Sequence, residues 1–88
     1  MLIAQEECAE VIQAISKCFR FGLTDVYEGK TNLQRLEEEL GDLKCMISLM
    51  EESGVTYGTN VFDAELNKRV RLKKWSNVFK EEKVSENA

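Results

Sequence analysis

The sequence predicts an all-α protein: three long helices forming a helical bundle that dimerisation completes. Three observations lead there. Proline is absent, so the strongest interrupter of a long helix is missing. Apolar residues recur at spacings of three and four, the period of a helix face. Two glycine-bearing stretches, "FGLTDVYEGK" and "VTYGTN", separate three such segments, and no strand or internal repeat is evident.

The first helix is expected over Leu2–Arg20. Val11, Ala14, Ile15 and Cys18 make one apolar stripe on it, and Cys8, Ile12 and Phe19 make another. Gly22 and Gly29 mark the loop that follows. Thr31 then opens "TNLQ", a capping-box pattern with Gln34 three residues on. The second helix should run from Asn32 to Ser53, with Gly54 as its stop. Leu33, Leu36, Leu40, Leu43, Ile47 and Met50 form its seam, which widens after Asp42 to take in Cys45, Met46 and Leu49. Asn60 is the expected N-cap of a third helix over Val61–Glu82, and "KVSENA" closes the chain as a polar tail. Two apolar faces per helix need more neighbours than a three-helix chain supplies. A homodimer at least is therefore expected.

Composition narrows the function. Eighty-eight residues fit one small domain, read as 1–83 with a tail at 84–88. A chain of this size hides only about 60–65% of its unfolded surface, so a partner subunit or a metal would help. Cys8, Cys18 and Cys45 are odd in number, no CxxC is present, and histidine is absent. That argues against zinc and for reduced thiols in a cytoplasmic protein. No basic leader precedes an apolar run, and no run approaches the roughly 20 residues that span a bilayer. The net charge of −4 argues against a stable nucleic-acid partner.

The chemistry lies in four acids. Glu7 sits within the main stripe of the first helix, with Ile3 at i−4, Val11 at i+4 and Ala14 at i+7. Glu10 is i+3 from Glu7, and Glu39 and Asp42 repeat that spacing on the second helix. Each helix thus directs two carboxylates toward or beside its packed face. Taking a carboxylate out of water costs several kcal/mol unless it is paired or bound to a metal. An all-oxygen set suits Mg²⁺, with Mn²⁺ as a substitute. Di-iron bundles use Glu-x-x-His on two helices, which a chain without histidine cannot supply. The plain alternative, strongest for Glu6, Glu37 and Glu38, is a solvated acidic face or a response to the helix dipole.

"EECAE" followed by "EELGD" resembles the ExxE…ExxD signature of the MazG-like, all-α nucleoside triphosphate pyrophosphohydrolases, over about residues 5–75. The resemblance implies a dimeric or tetrameric bundle with Mg²⁺ held by Glu7, Glu10, Glu39 and Asp42. It also implies hydrolysis of a nucleoside triphosphate to the monophosphate and pyrophosphate. Glu7, as the most enclosed acid, is the choice for polarising the attacking water. "NKRVR" resembles the family's Asn-Lys-x-x-Arg segment, which makes Asn67, Lys68 and Arg71 the expected substrate-binding residues. Independently, Lys68 falls within the apolar stripe Val61, Ala64, Leu72, Trp75 and Phe79, with Arg71 beside it. A cation so placed can clamp a phosphate, or simply snorkel. The competing class is a non-enzymatic helical protein-interaction module. An RNA-binding helix built on "KRVRLKK" is a third reading, weakened by the net acidity.

Overall fold

Thr31 and Gln34 set the start of the central helix. The Thr31 hydroxyl accepts from Gln34 N at 3.0 Å, and Gln34 Oε1 accepts from Thr31 N at 2.9 Å. This is the capping box that the sequence predicts, and it satisfies two backbone donors that a helix end leaves without partners. The structure, a computed structural model, describes residues 2–74. It is all-α, with α1 (Leu2–Phe21), a short ribbon of β1 (Val26–Tyr27) and β2 (Lys30–Thr31), α2 (Asn32–Glu52) and α3 (Gly58–Lys73). Among the described residues, no helix is long and apolar enough to cross a membrane. The chain divides into two units, Met1–Val55 and Thr56–Ala88, each described on its own.

The first unit is an antiparallel helical hairpin. Near its closed end the Cys18 thiol donates to Asn32 O at 3.6 Å, and far along it Glu7 meets Asp42. The turn is built around Asn32, the one buried polar residue among those described, at 5% exposure. Its Nδ2 donates to Gly22 O at 2.9 Å and its backbone N to Asp25 O at 3.0 Å. Leu33 N donates to Leu23 O at 3.0 Å. Gly22 itself ends α1 at φ +93°, a conformation that a side chain would strain.

The ribbon is a departure from expectation, since the loop reads in sequence as strand-free. Val26 pairs with Thr31 and Tyr27 with Lys30, leaving Glu28 and Gly29 as a two-residue turn. Both turn residues have positive φ, 51° and 81°, as the tightest hairpin turn requires. Glutamate is an uncommon choice at such a position, and two-residue strands carry no alternating pattern to read.

The seam of the hairpin is also shifted. On α1, Ala4, Val11 and Ala14 are buried and Glu7 and Cys18 half-buried, a 3-4-3-4 progression; Ile3, expected in the column of Glu7, is 58% exposed. On α2 the progression is Asn32, Leu36, Glu39, Leu43, Met46 and Met50, every one buried or half-buried. The expected seam residues Leu33 and Leu40 are each 41% exposed. The apolar stripe alone misplaces the seam, because two of its true members, Asn32 and Glu39, are polar.

The second unit contains α3. Its N-cap is Tyr57, with extended backbone and no side-chain cap bond, rather than Asn60. Val61 N donates to Tyr57 O at 3.1 Å, so Asn60 is already inside the first turn. A good cap is worth about 1 kcal/mol, which the extra helical turn can offset. Arg69 makes two hydrogen bonds to Glu65 one turn earlier, at 3.0 and 3.1 Å. Trp75, Phe79, the expected helix end at Glu82 and the tail lie outside the described residues.

Two substitutions test this account of the hairpin. Thr31→Ala is expected to cost about 1 kcal/mol, the usual worth of an N-cap. Asn32→Ala is expected to cost more, about 1–3 kcal/mol, because it leaves a partly buried Gly22 carbonyl without its donor. Urea unfolding of the two variants should give that order.

Candidate metal centre

Seam positions face the partner helix, so two of the four predicted acids are brought face to face. Glu7 from α1 and Glu39 and Asp42 from α2 each place one carboxylate oxygen within 4.8 Å of the others. Glu7 and Glu39 are half-buried, and Asp42 is exposed at the edge. Glu10, also exposed, stands one turn from Glu7 and near enough to the Glu39 carboxyl for a proton between them to form a hydrogen bond.

The cluster lacks balancing charge. Among the described residues, no ion pair reaches Glu7, Glu10, Glu39 or Asp42; the two present join Lys30 to Glu38 and Arg69 to Glu65. Glu7 Oε2 and Glu39 Oε2 are both buried without a hydrogen-bond partner. Buried polar atoms are nearly always satisfied, so an orphaned pair of carboxylate oxygens in one cluster calls for a proton or a cation.

Titration behaviour follows from the same geometry. The hydrogen bond with Glu10 is the largest cause that pushes Glu39 up to about 7, followed by loss of solvation and by the charges of Glu10, Asp42 and Glu7. Glu7 is raised as well, first by loss of solvation and then by the charges of Glu10 and Asp42. Glu39 therefore keeps a proton at a pH where an isolated carboxylate has lost it.

The donor set fits a hard divalent cation. Mg²⁺ keeps its oxygens at about 2.0–2.1 Å, so two of its ligands stand at most about 4.2 Å apart. Neighbouring ligands of an octahedron stand closer still, at about 2.9 Å, so three oxygens within 4.8 Å of one another would have to draw inward by up to about 2 Å to hold the ion directly. Glu7, Glu39 and Asp42 would be the ligands, with Glu10 positioned beside them.

The remaining predicted residues are placed differently. Asn67, Lys68 and Arg71 lie on α3 in the second unit, and all three are exposed. Two cations that sequence reasoning passed over are instead in the first unit. Lys17 and Arg35 line an open groove of about 280 Å³ with Glu10, Gln13, Ala14, Glu38 and Glu39. Lys17 is seven residues, two helical turns, beyond Glu10, and Arg35 is four residues before Glu39. That helical spacing was the available signal.

A pH dependence follows. Raised carboxyl pKa values mean that the folded state binds more protons than the unfolded state above the ordinary value of 4.5. The stabilising contribution is complete below that value and is lost as pH rises through about 7. In the absence of divalent cations, Glu39→Gln should therefore unfold at higher temperature than the wild type at pH 8. At pH 5 the difference should shrink. Calorimetric melting of both proteins across that range checks it. Comparison of the chain with protein-family models, with curated proteins and with solved structures finds no match.

Proposed function

We propose that the protein is a Mg²⁺-dependent nucleoside triphosphate pyrophosphohydrolase that works as a homo-oligomer. The observation that carries the reading is the convergence of Glu7, Glu39 and Asp42, with buried, partnerless oxygens on the first two. Beside them lies a groove carrying two cations, Lys17 and Arg35. Acids alone would repel a polyphosphate, and cations alone would need no such cluster. Together they suit a phosphate chain that arrives with a divalent cation. The likeness of "EECAE" and "EELGD" to the MazG-like signature supports the same choice.

Bound Mg²⁺ would supply Lewis-acid polarisation and charge screening for the phosphates and lower the pKa of a water. Glu7, reaching from α1, would orient the water for attack on the α-phosphorus. The bond from that phosphorus to the oxygen bridging it to the β-phosphorus breaks, leaving nucleoside monophosphate and pyrophosphate. Lys17 and Arg35 would offset charge on the phosphate chain. Asn67, Lys68 and Arg71 are the substrate-binding residues that the resemblance implies.

Oligomerisation is supported by what the chain leaves uncovered. The buried apolar residues among those described are only Ala4, Val11 and Ala14. Ile12 is 65% and Phe19 87% exposed on α1, and Phe62, Leu66 and Val70 are exposed on α3. Ile12 and Phe19, seven residues apart, lie toward one face of α1, and Phe62, Leu66 and Val70, four apart, toward one face of α3; exposed apolar faces of this kind mark interaction sites. The same surface is what a non-enzymatic interaction module would display, so turnover decides between the two readings.

Asp42→Ala is expected to remove Mg²⁺-dependent turnover while the far-ultraviolet circular dichroism stays helical. Products should be pyrophosphate and monophosphate; stepwise orthophosphate would place attack at a terminal phosphate and contradict the reaction. Sedimentation is expected to show a dimer or tetramer, and Phe19→Glu to shift it toward monomer.

A further inference from the structure

The acid groove continues into a second depression. Lys17 and Arg35, which line the groove beside Glu39 and Glu10, also line a depression of about 380 Å³ with Phe21, Asp25, Tyr27 and Asn32. Its size lies in the range of about 300–1,000 Å³ typical of small-molecule sites. The surface of the first unit therefore runs from acids, through two cations, to two aromatic rings.

Arg35 is held where these regions meet. Its guanidinium donates to the Tyr27 carbonyl and lies over the Tyr27 ring, 5.5 Å from the centroid. Its Nε is buried and has no protein partner. Tyr27 is fixed by the ribbon, yet its residue remains 62% exposed. Asn32 anchors the floor through Gly22. Tyr27 and Asn32 are thus placed by contacts at the closed end of the hairpin, while Phe21 stands exposed with the Arg20 guanidinium 5.3 Å from its ring centroid.

We propose that this ring-lined pocket seats the nucleobase of the substrate, with Lys17 and Arg35 holding the phosphates between it and the acid cluster. The inference rests on the pyrophosphohydrolase reading and adds the direction in which the substrate lies. A base offers a flat π-face to Tyr27 and Phe21, which is the usual means of holding a base without reading its edge. The phosphate chain then crosses the two cations and ends at the metal ligands. The order base, phosphates, metal in the ligand matches the order rings, cations, acids in the protein.

The test compares two probes in the presence of Mg²⁺. One is inorganic tripolyphosphate, and the other is an α,β-methylene nucleoside triphosphate that cannot be cleaved at the proposed bond. Calorimetric titration of the wild-type chain should show the nucleotide analogue binding about tenfold or more tighter, the usual worth of a stacked base. Tyr27→Ala should abolish that advantage, read as the ratio of the two affinities because the ring also supports Arg35. Lys17→Gln should weaken both probes. In the wild-type chain, nuclear magnetic resonance should show the ring protons of Phe21 and Tyr27 shifting with the analogue and not with tripolyphosphate. Equal affinity for the two probes, unshifted ring protons, or an undiminished advantage in a folded Tyr27→Ala would place the base elsewhere and overturn the inference, leaving the pyrophosphohydrolase reading intact. If neither probe binds, both fall together.

Discussion

Two carboxylates occupy opposing positions in the seam between α1 and α2, where apolar side chains would ordinarily meet. Glu7 falls between Ala4 and Val11, and Glu39 between Leu36 and Leu43. Packing the helices forces these acids together, and the like charges and lost solvation resist it. A proton or a cation in the cluster eases the closing of the hairpin. The raised protonation of Glu39 and the orphaned oxygens are two expressions of that one constraint.

The hairpin's closed end bears the register that makes the meeting possible. Asn32 ties the start of α2 to Gly22 and Asp25, and Cys18 donates to its carbonyl. From that anchor, a fixed number of turns along each helix brings Glu10 beside Glu39 and Glu7 beside Asp42. The same anchor positions Tyr27 and Arg35 at the ring-lined pocket. Small residues on α1, Ala4 and Ala14 in particular, contribute little apolar burial of their own. The closed hairpin is therefore thinly buried for its length, which is the condition in which a ligand or a second copy adds most to stability.

Much of this was legible in the chain. Helical period, the Thr31–Gln34 box and the Gly54 stop each state a local rule, and local rules survive folding. The paired acids were legible too, because burying Glu7 in an apolar stripe is conspicuous against the ordinary exposure of glutamate. The true seam of α2 was not, since a hydrophobic pattern cannot count Asn32 and Glu39 as members. The Glu28–Gly29 turn was hidden by an unusual residue at a positive φ. Lys17 shares a face of α1 with Glu10, and Arg35 a face of α2 with Glu39, but only the closed hairpin sets the two cations in one groove. Sequence spacing shows which residues share a face, and tertiary register decides which faces meet.

As proposed, the clustered acids would exchange the proton held on Glu39 for a divalent cation. Metal binding to such a set must release protons. Titration of Mg²⁺ into the protein at pH 6.5, repeated in two buffers of different ionisation enthalpy, measures that release directly. The account predicts saturable binding with release of a substantial fraction of a proton per site, and loss of most of that release in Glu39→Gln. Absence of Mg²⁺ binding, or binding with no proton release, would contradict it.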